Sequence, residues 1–413
     1  VSATARAVVV GAAVAGVAAA VALRDAGFAG EIVLVGEEVH EPYDRPPLSK
    51  QLLRGTSEPA DLRLPGAPQL REREVELRLG VRAVGLDPER RELRLAGGDA
   101  LGFDGLILAT GSVPKRLPGQ VDLPGLHMLR TIDDAVALRA ELLGAARVGV
   151  VGAGFIGLEV ASEARALGAA VTVVDLAPHP LARVFGPEVG ARVRRLHDAH
   201  GVEFRCGEPI EGLAVRDGRV AGIELADGVV DADLVVVGIG TVPAVGWLEG
   251  SGLRLGDGVV CDAELRAAPA VYAAGDVARW DHPLFGSIRV EHWTTAGEHA
   301  RVAAHNLALD LGGAGEPRRA DAVPYFWSDQ HGVKLQLAGW IAGSDTIAEF
   351  EGEGVRSATL FGRDGRLVGA LALDWPAFVA RRRRAIGASA GWEEAVEAAT
   401  TDAAKVGITN LQT

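Results

Sequence analysis

The chain has 413 residues, 48% hydrophobic and 23% charged, the composition of a globular protein of two or three domains. A net charge of −13 leaves no basic surplus to neutralise phosphates and argues against a nucleic-acid binder. The two cysteines, Cys206 and Cys261, stand 55 residues apart, which excludes a disulfide framework and a Cys-x-x-Cys redox pair and makes both read as inert, buried thiols.

The first predicted element is a strand, Ala7–Val10, that runs into Gly11-Ala-Ala13-Val-Ala-Gly16 and then a helix of Ala and Val. The apolar run from Ala7 to Leu23 has 17 residues and superficially resembles a signal peptide or a short membrane span. Gly11 and Gly16 at fingerprint spacing, and a second strand at Glu31–Gly36, favour a buried strand and helix instead, and the protein is expected in the cytoplasm with no membrane contact. Glu37 closes the second strand 26 residues after Gly11, where an acid can hold a ribose hydroxyl. Ala13 stands where a second Gly would let the backbone approach a pyrophosphate. One methyl there is expected to push the phosphates slightly away or shift the turn. On pattern alone this is a nucleotide site, with a simple packing helix as the alternative. A loop rich in Pro and charge follows, Glu41-Pro-Tyr-Asp-Arg-Pro-Pro-Leu-Ser-Lys50, and then a strand into a turn, Leu106-Ile-Leu-Ala109-Thr110-Gly111.

The strongest signal is Gly152-Ala-Gly154-Phe155-Ile156-Gly157, between the strand Arg147–Val151 and a helix-like run, Leu158–Leu167. The first Gly makes the tight turn, the second lets the backbone reach the pyrophosphate, and the third lets helix and strand pack closely, with the helix N-terminus facing the phosphates. Asp175, 23 residues after Gly152, ends the next strand, where a carboxylate binds a ribose 2′-OH and repels a 2′-phosphate. NADH is therefore expected over NADPH, with Arg183 a few residues on as a further contact. Two more strands end in Gly-containing turns: Leu234-Val-Val-Val-Gly238-Ile-Gly240, and Val271-Tyr-Ala-Ala-Gly-Asp276 with Val277 after it. Alternating strands and helices punctuated by Gly imply parallel sheets and an α/β fold.

Beyond about Ala320 the texture changes. Phe326, Trp327, Trp340 and Phe350 cluster, Thr359–Gly362 and Arg366–Gly369 flank an Asp364-Gly365 hairpin turn, and a helical tail starts at Trp375. Arg381–Arg384 is either a solvated helix face or a docking patch for an acidic partner. His197 and His200, on a probable helix, lack a third ligand, and no metal is expected.

The Ala109-Thr110-Gly111 and Gly275-Asp276 segments resemble the second and third signatures of flavoproteins with two dinucleotide sites. The loop Glu41–Lys50 and the segment Tyr325-Phe-Trp-Ser-Asp-Gln330 are similar to those of the ferredoxin reductase family of bacterial oxygenase systems, and the likeness runs in order from about residue 6 to about 385. The resemblance implies two Rossmann-like domains of the glutathione-reductase type plus a C-terminal α+β domain. It implies an FAD domain from 1–112 and 243–319, an NAD domain at 113–242, and a last domain at 320–413. FAD would be met by Gly11, Ala15, Gly16, Glu37, Arg45, Lys50, Val81, Ala109, Thr110, Gly111, Arg130, Asp276, Val277, Trp293 and Trp327. NADH would be met by Gly152, Gly154, Phe155, Ile156, Gly157, Glu159, Asp175, Arg183, Gly238 and Gly240. Lys50, near the flavin, would pair with Glu159, and the two would tune it.

The implied activity is transfer of electrons from NADH through FAD to a small [2Fe–2S] ferredoxin, which in turn feeds a haem monooxygenase or Rieske dioxygenase. The enzyme would be a monomer or homodimer. Two other readings stay open: a rubredoxin- or nitrite-linked reductase, and a flavoprotein of the apoptosis-inducing-factor type that mainly binds a partner. Related disulfide reductases and peroxidases use cysteine near the first fingerprint. This chain has His40, Tyr43 and Ser49 in that neighbourhood, which excludes cysteine-based chemistry.

Overall fold

The computed structural model describes residues 5–411. The chain divides into two compact units. The first comprises the residues up to Asp44, Leu62–Val113 and Val242–Pro324, and the second comprises Arg45–Asp61, Pro114–Thr241 and the chain from Tyr325 onward.

The first unit is built on a six-stranded sheet in the order Arg266–Ala268, Val271–Ala273, Gly105–Leu108, Arg6–Val10, Glu31–Val35 and Val75–Arg78. All its pairings are parallel except the first. The central strands are runs of Val, Ile and Leu with no solvent-facing side, as expected when both faces of a parallel sheet are covered. The helix Val14–Asp25 packs on the helix Trp293–Asp310. The buried positions are mostly Ala and Gly (Ala15, Gly16, Ala19 and Ala20 on one, Ala296, Ala300, Ala303 and Ala304 on the other), and small side chains let the two axes come close. The apolar run Ala7–Leu23 is thus divided between a strand and a helix. Among the described residues no helix is long and apolar enough to cross a membrane.

The second unit repeats the design. Its parallel sheet runs Val202–Cys206, Ala170–Asp175, Arg147–Val151, Leu234–Val237 and Leu126–His127. A three-stranded antiparallel sheet, Ile210–Asp231, contributes Val220, Ile223 and Leu225 to a core shared with Val151, Val174, Val235 and Val237. The same unit holds a six-stranded antiparallel sheet formed by Tyr325–Gln330, Val333–Gly339, Arg366–Leu373, Ser357–Arg363, Thr346–Glu351 and Thr409–Asn410. Ser357–Arg363 and Arg366–Leu373 form the expected hairpin about Asp364-Gly365. The helical tail is two helices, Pro376–Gly387 and Trp392–Ala404. The fold is α/β, with two Rossmann-like sheets and a C-terminal α+β portion.

Candidate functional site

In each Rossmann-like sheet the order reverses beside the first strand, and ligands of such sheets lie at the carboxyl ends of the strands at that reversal. Both Gly fingerprints occupy it. Gly11 has φ +113° and Gly152 φ +103°, which favours glycine at both. An added Cβ would lie 2.1 Å from the carbonyl oxygen of Ala109 at the one and 2.4 Å from that of Gly238 at the other. The Ala109-Thr110-Gly111 turn and the Gly238-Ile-Gly240 turn are therefore counterparts, each tied to its fingerprint strand (Ala109 N to Val10 O, 2.7 Å; Gly238 N to Val151 O, 2.7 Å). A Cβ at Gly16 or Gly157 would meet the carbonyl oxygen of Gly11 at 1.7 Å or of Gly152 at 2.1 Å.

Gly154 differs. Its nearest protein atom to an added Cβ is 3.7 Å away and its φ is −83°, so the chain's own packing does not demand glycine there. The position fits a residue kept small for something outside the protein. Ala13 has the same role in the first copy, with φ −101° and ψ −164° against −83° and −178° at Gly154. The expected shift of the turn is not seen: the backbone at Ala13 is extended, and an L-residue adopts it without strain. Neither Ala13 nor Gly154 supplies a side-chain cap, so the leading N–H groups of both 12-residue helices suit an anion, as a dinucleotide pyrophosphate requires.

In the first unit, Gly275 sits at φ +75° with Ala15 and Ala296 within 3.2 and 3.4 Å of an added Cβ. That places Asp276 and Val277 beside the first turns of two helices. Asp276 accepts from Ser112 Oγ (3.0 Å), and Thr110 Oγ1 donates to Ala244 O (3.1 Å). Glu37 is exposed and lies 3.5 Å from Arg82, while the neighbouring Val81 N donates to Gly36 O (2.8 Å). Trp293 is 39% exposed, and its indole N–H donates to Asp44 (2.7 Å).

In the second unit, Lys50 Nζ lies 2.8 Å from Glu159 Oε2, with side chains 11% and 4% exposed. The Lys50 backbone N–H caps the turn Pro46–Ser49 by donating to Pro47 O (3.1 Å), and the Lys50 Nζ also donates to Pro46 O (3.2 Å). Glu159 also accepts from Ser49 Oγ and from Ser328 Oγ (2.6 Å), so three donors meet the buried carboxylate. One helical turn further, Arg54 grips the equally buried Glu163 with two bonds of 2.7 and 2.8 Å, repeating the i, i+4 spacing on both partners. Sequence reasoning named Ser49 only as standing where relatives use cysteine, and did not single out Arg54, Glu163 or Ser328. The matching spacing of Lys50/Arg54 and Glu159/Glu163 was the available signal. Arg45 donates to Arg130 O, whose own N–H donates to Asp134 (3.0 Å). Trp327 stacks on Tyr325 with centroids 6.2 Å apart.

Asp175 has a duty the sequence did not suggest: its two oxygens accept from the N–H groups of Ala153 and Ala177, both at 2.6 Å, and so fix the fingerprint turn. Phe155 packs edge-on against Phe326 (4.5 Å) and Phe185 (5.8 Å), while Ile156 is exposed. Arg183 is exposed on the short helix Ala182–Phe185, whose preceding Leu181 N donates to Ala153 O.

Three expectations need correction. Cys206 is half-buried rather than buried, though burial, then the nearby Asp175 carboxylate, pushes its thiol up to about 11. Burial does the same for Cys261, to about 12. Arg381–Arg384 is not a uniform cationic face: Arg382 is buried over Phe378 and bonded to Asp402, which also pairs with Arg381. His200 lies beyond the helix Pro187–Asp198, and the ring nitrogens of His197 are taken by Gln330 and His331.

Two family descriptions match the chain: "Pyridine nucleotide-disulphide oxidoreductase" over residues 5–300 and "Reductase C-terminal" over 325–405. The ferredoxin–NAD(+) reductase component of an anthranilate 1,2-dioxygenase system from Burkholderia cepacia is 39% identical, covering 93% of this chain and 94% of the relative. A rubredoxin–NAD(+) reductase from Pseudomonas putida is 35% identical, covering 92% and 98%. Among solved structures, a covalent putidaredoxin reductase–putidaredoxin complex matches with a TM-score of 0.88 at 31% identity, covering 94% of each chain.

Proposed function

Since this chain belongs to the pyridine nucleotide-disulphide oxidoreductase family, we propose that it carries electrons from NADH through FAD to a small [2Fe–2S] ferredoxin serving a haem monooxygenase or Rieske dioxygenase. The observation that carries the reading is the cysteine pair that is missing. A family named for disulphide chemistry is represented here by a chain whose two thiols are held protonated by burial, so electrons arriving from NADH must leave to an external acceptor. The likeness to ferredoxin-linked reductases over more than nine-tenths of both chains supports a ferredoxin as that acceptor. The rubredoxin-linked relative supports a second reading with the same flavin chemistry and a different iron protein.

Bound FAD supplies the exchange between two-electron and one-electron transfer. The chain's own residues supply position and field. The two uncapped helix N-termini would hold the pyrophosphates of FAD and NADH. Glu37 and Asp175 would accept from the ribose hydroxyls, and Asp276 from the ribitol chain. Lys50 would supply a cation to the flavin, and Glu159 keeps that cation from being an unpaired buried charge. The FAD domain is assigned to 1–112 and 243–319, the NAD domain to 113–242 and the last domain to 320–413, and the enzyme to the cytoplasm. Steady-state reduction of a [2Fe–2S] ferredoxin by NADH, read against NADH oxidation by dissolved oxygen alone, tests the assignment. It fails if no one-electron carrier protein is reduced faster than oxygen.

A further inference from the structure

Glu159 ends a chain of hydrogen bonds that the Lys50 pair does not require. Ser328 Oγ donates to Glu159 Oε1 (2.6 Å), Gln330 Nε2 donates to Ser328 Oγ (3.0 Å), Gln330 Oε1 faces His197 Nε2 (2.9 Å), and His197 Nδ1 faces His331 Nε2 (3.0 Å). An ionised carboxylate only accepts, so the direction of every link follows from one end. Ser328 must donate inward, which leaves its lone pairs for the Gln330 amide N–H. The Gln330 oxygen then needs a donor, His197 Nε2–H, and the neutral imidazole's Nδ1 needs another, His331 Nε2–H. Burial pushes His197 down to about 4 and, with the facing His197 and His200 rings, His331 down to about 3, so both rings are neutral at pH 7 as this wiring demands. Glu159, Ser328, Gln330 and His197 are all 3% exposed or less, and His331, half-buried, stacks on His200 at 4.0 Å.

Glu163, equally buried one turn away on the same helix, is held by Arg54 through two bonds and, among the described residues, receives no such chain. The wire is spent on the one carboxylate that faces Lys50. We propose that Ser328, Gln330, His197 and His331 are positioning residues for Glu159: four dipoles aligned head to tail, positive ends toward the carboxylate, that fix it beside Lys50 and offset part of its negative field. Aligned donors strengthen one another in a low-dielectric interior. Cutting the wire makes the Glu159–Lys50 unit effectively more negative, and an electron-rich flavin tuned by that unit would be held less well. The inference rests on the assignment of Lys50 to the flavin edge.

The test is the midpoint potential of FAD in the loaded protein, measured by dye equilibration, with flavin content and melting temperature as controls. Ser328→Ala removes the innermost donor and is expected to lose about tenfold in preference for the reduced flavin, a fall of about 30 mV. Gln330→Met cuts one link further out and is expected to lower the potential in the same direction by less, about threefold or ~15 mV. In a Glu159→Gln background Ser328→Ala is expected to have no further effect, because its target is gone. A network that merely cements the fold lowers the melting temperature and leaves the potential where it was, and that outcome overturns the proposal. So does a Ser328→Ala shift that persists without Glu159, or a larger shift from the outer cut than from the inner. A wild-type protein that binds FAD but is not reduced by NADH overturns the functional assignment instead.

Discussion

Gly154→Ala separates what the protein needs from what its ligand needs. At Gly152 and Gly157 an added Cβ falls 2.4 and 2.1 Å from backbone carbonyl oxygens, whereas at Gly154 the nearest atom is 3.7 Å away and φ is −83°. Two small stability effects then oppose each other. A Gly→Ala change at an open conformation stabilises by about 0.4–1 kcal/mol through the unfolded chain. Alanine is a poorer N-cap than glycine by an amount of order 0.5 kcal/mol. The net is expected within ~0.5 kcal/mol, about 1–2 °C in melting temperature for a domain of this size. Binding of NADH is expected to suffer far more. The methyl projects toward the helix N-terminus, and a displaced phosphate loses at least one charge-assisted hydrogen bond, worth about 1.5–3 kcal/mol. That raises the Kd for NADH by about 10- to 100-fold. Thermal unfolding and NADH titration of Gly154→Ala are read against Gly157→Ala, expected to lose more than about 3 kcal/mol of stability. The reasoning is refuted if Gly154→Ala keeps NADH affinity within about twofold, or if it melts as early as Gly157→Ala.

Asp175→Ala should narrow the NADH/NADPH ratio of kcat/KM and also lower stability by about 2 kcal/mol, because two backbone N–H groups lose a charged acceptor; an unchanged ratio removes Asp175 from coenzyme choice. Arg382→Ala should cost about 3 kcal/mol, mainly by opening the space over Phe378, with a smaller part from Asp402, which keeps Arg381; a denaturant titration reads the loss, and a neutral result would mean the buried guanidinium carries nothing. Acid should destabilise the fold through histidine. Burial holds His197 at about 4 and His299 at about 3. The unfolded chain takes up these protons below about pH 6.5 while the folded one refuses them, so stability falls with pH from about 6.5 to 4 by up to ~1.4 kcal/mol per pH unit for each. A melting temperature that stays level between pH 7 and 4.5 contradicts this.

Much of the fold could be read from local rules. Gly11 and Gly152 announce themselves through positive φ and close carbonyl contacts, and Gly16 and Gly157 through close carbonyl contacts alone, all of which exclude other residues. Periodicity and a two-residue turn reveal the Ser357–Leu373 hairpin in the same way. The site was only partly legible. The Lys50–Glu159 pairing came through resemblance, since no local rule joins residues 109 positions apart. The Ser328–Gln330–His197 chain was invisible for the same reason. Ser328 and Gln330 look like ordinary polar positions of a strand, and their shared face is defined only once that strand lies on the fingerprint helix. Arg382 was legible and missed: it lies four residues from both Phe378 and Ile386, on the buried face of its helix. Asp175 was placed correctly, but a carboxylate's backbone bonds are not written in spacing.

The double clasp of Lys50 on Glu159 and Arg54 on Glu163 bears on how such enzymes can be recombined. A chimera that imports a new coenzyme specificity by exchanging only Pro114–Thr241 would carry Glu159 and Glu163 across while leaving their cations behind. A buried carboxylate deprived of its partner costs about 3–5 kcal/mol. Two of them would take most of the stability of a typical domain. The cut that preserves the graft takes Arg45–Asp61 along with it, and also the chain from Tyr325 onward that supplies Ser328 to Glu159, so the transplantable part is three sequence-distant segments joined by charge and hydrogen bonds.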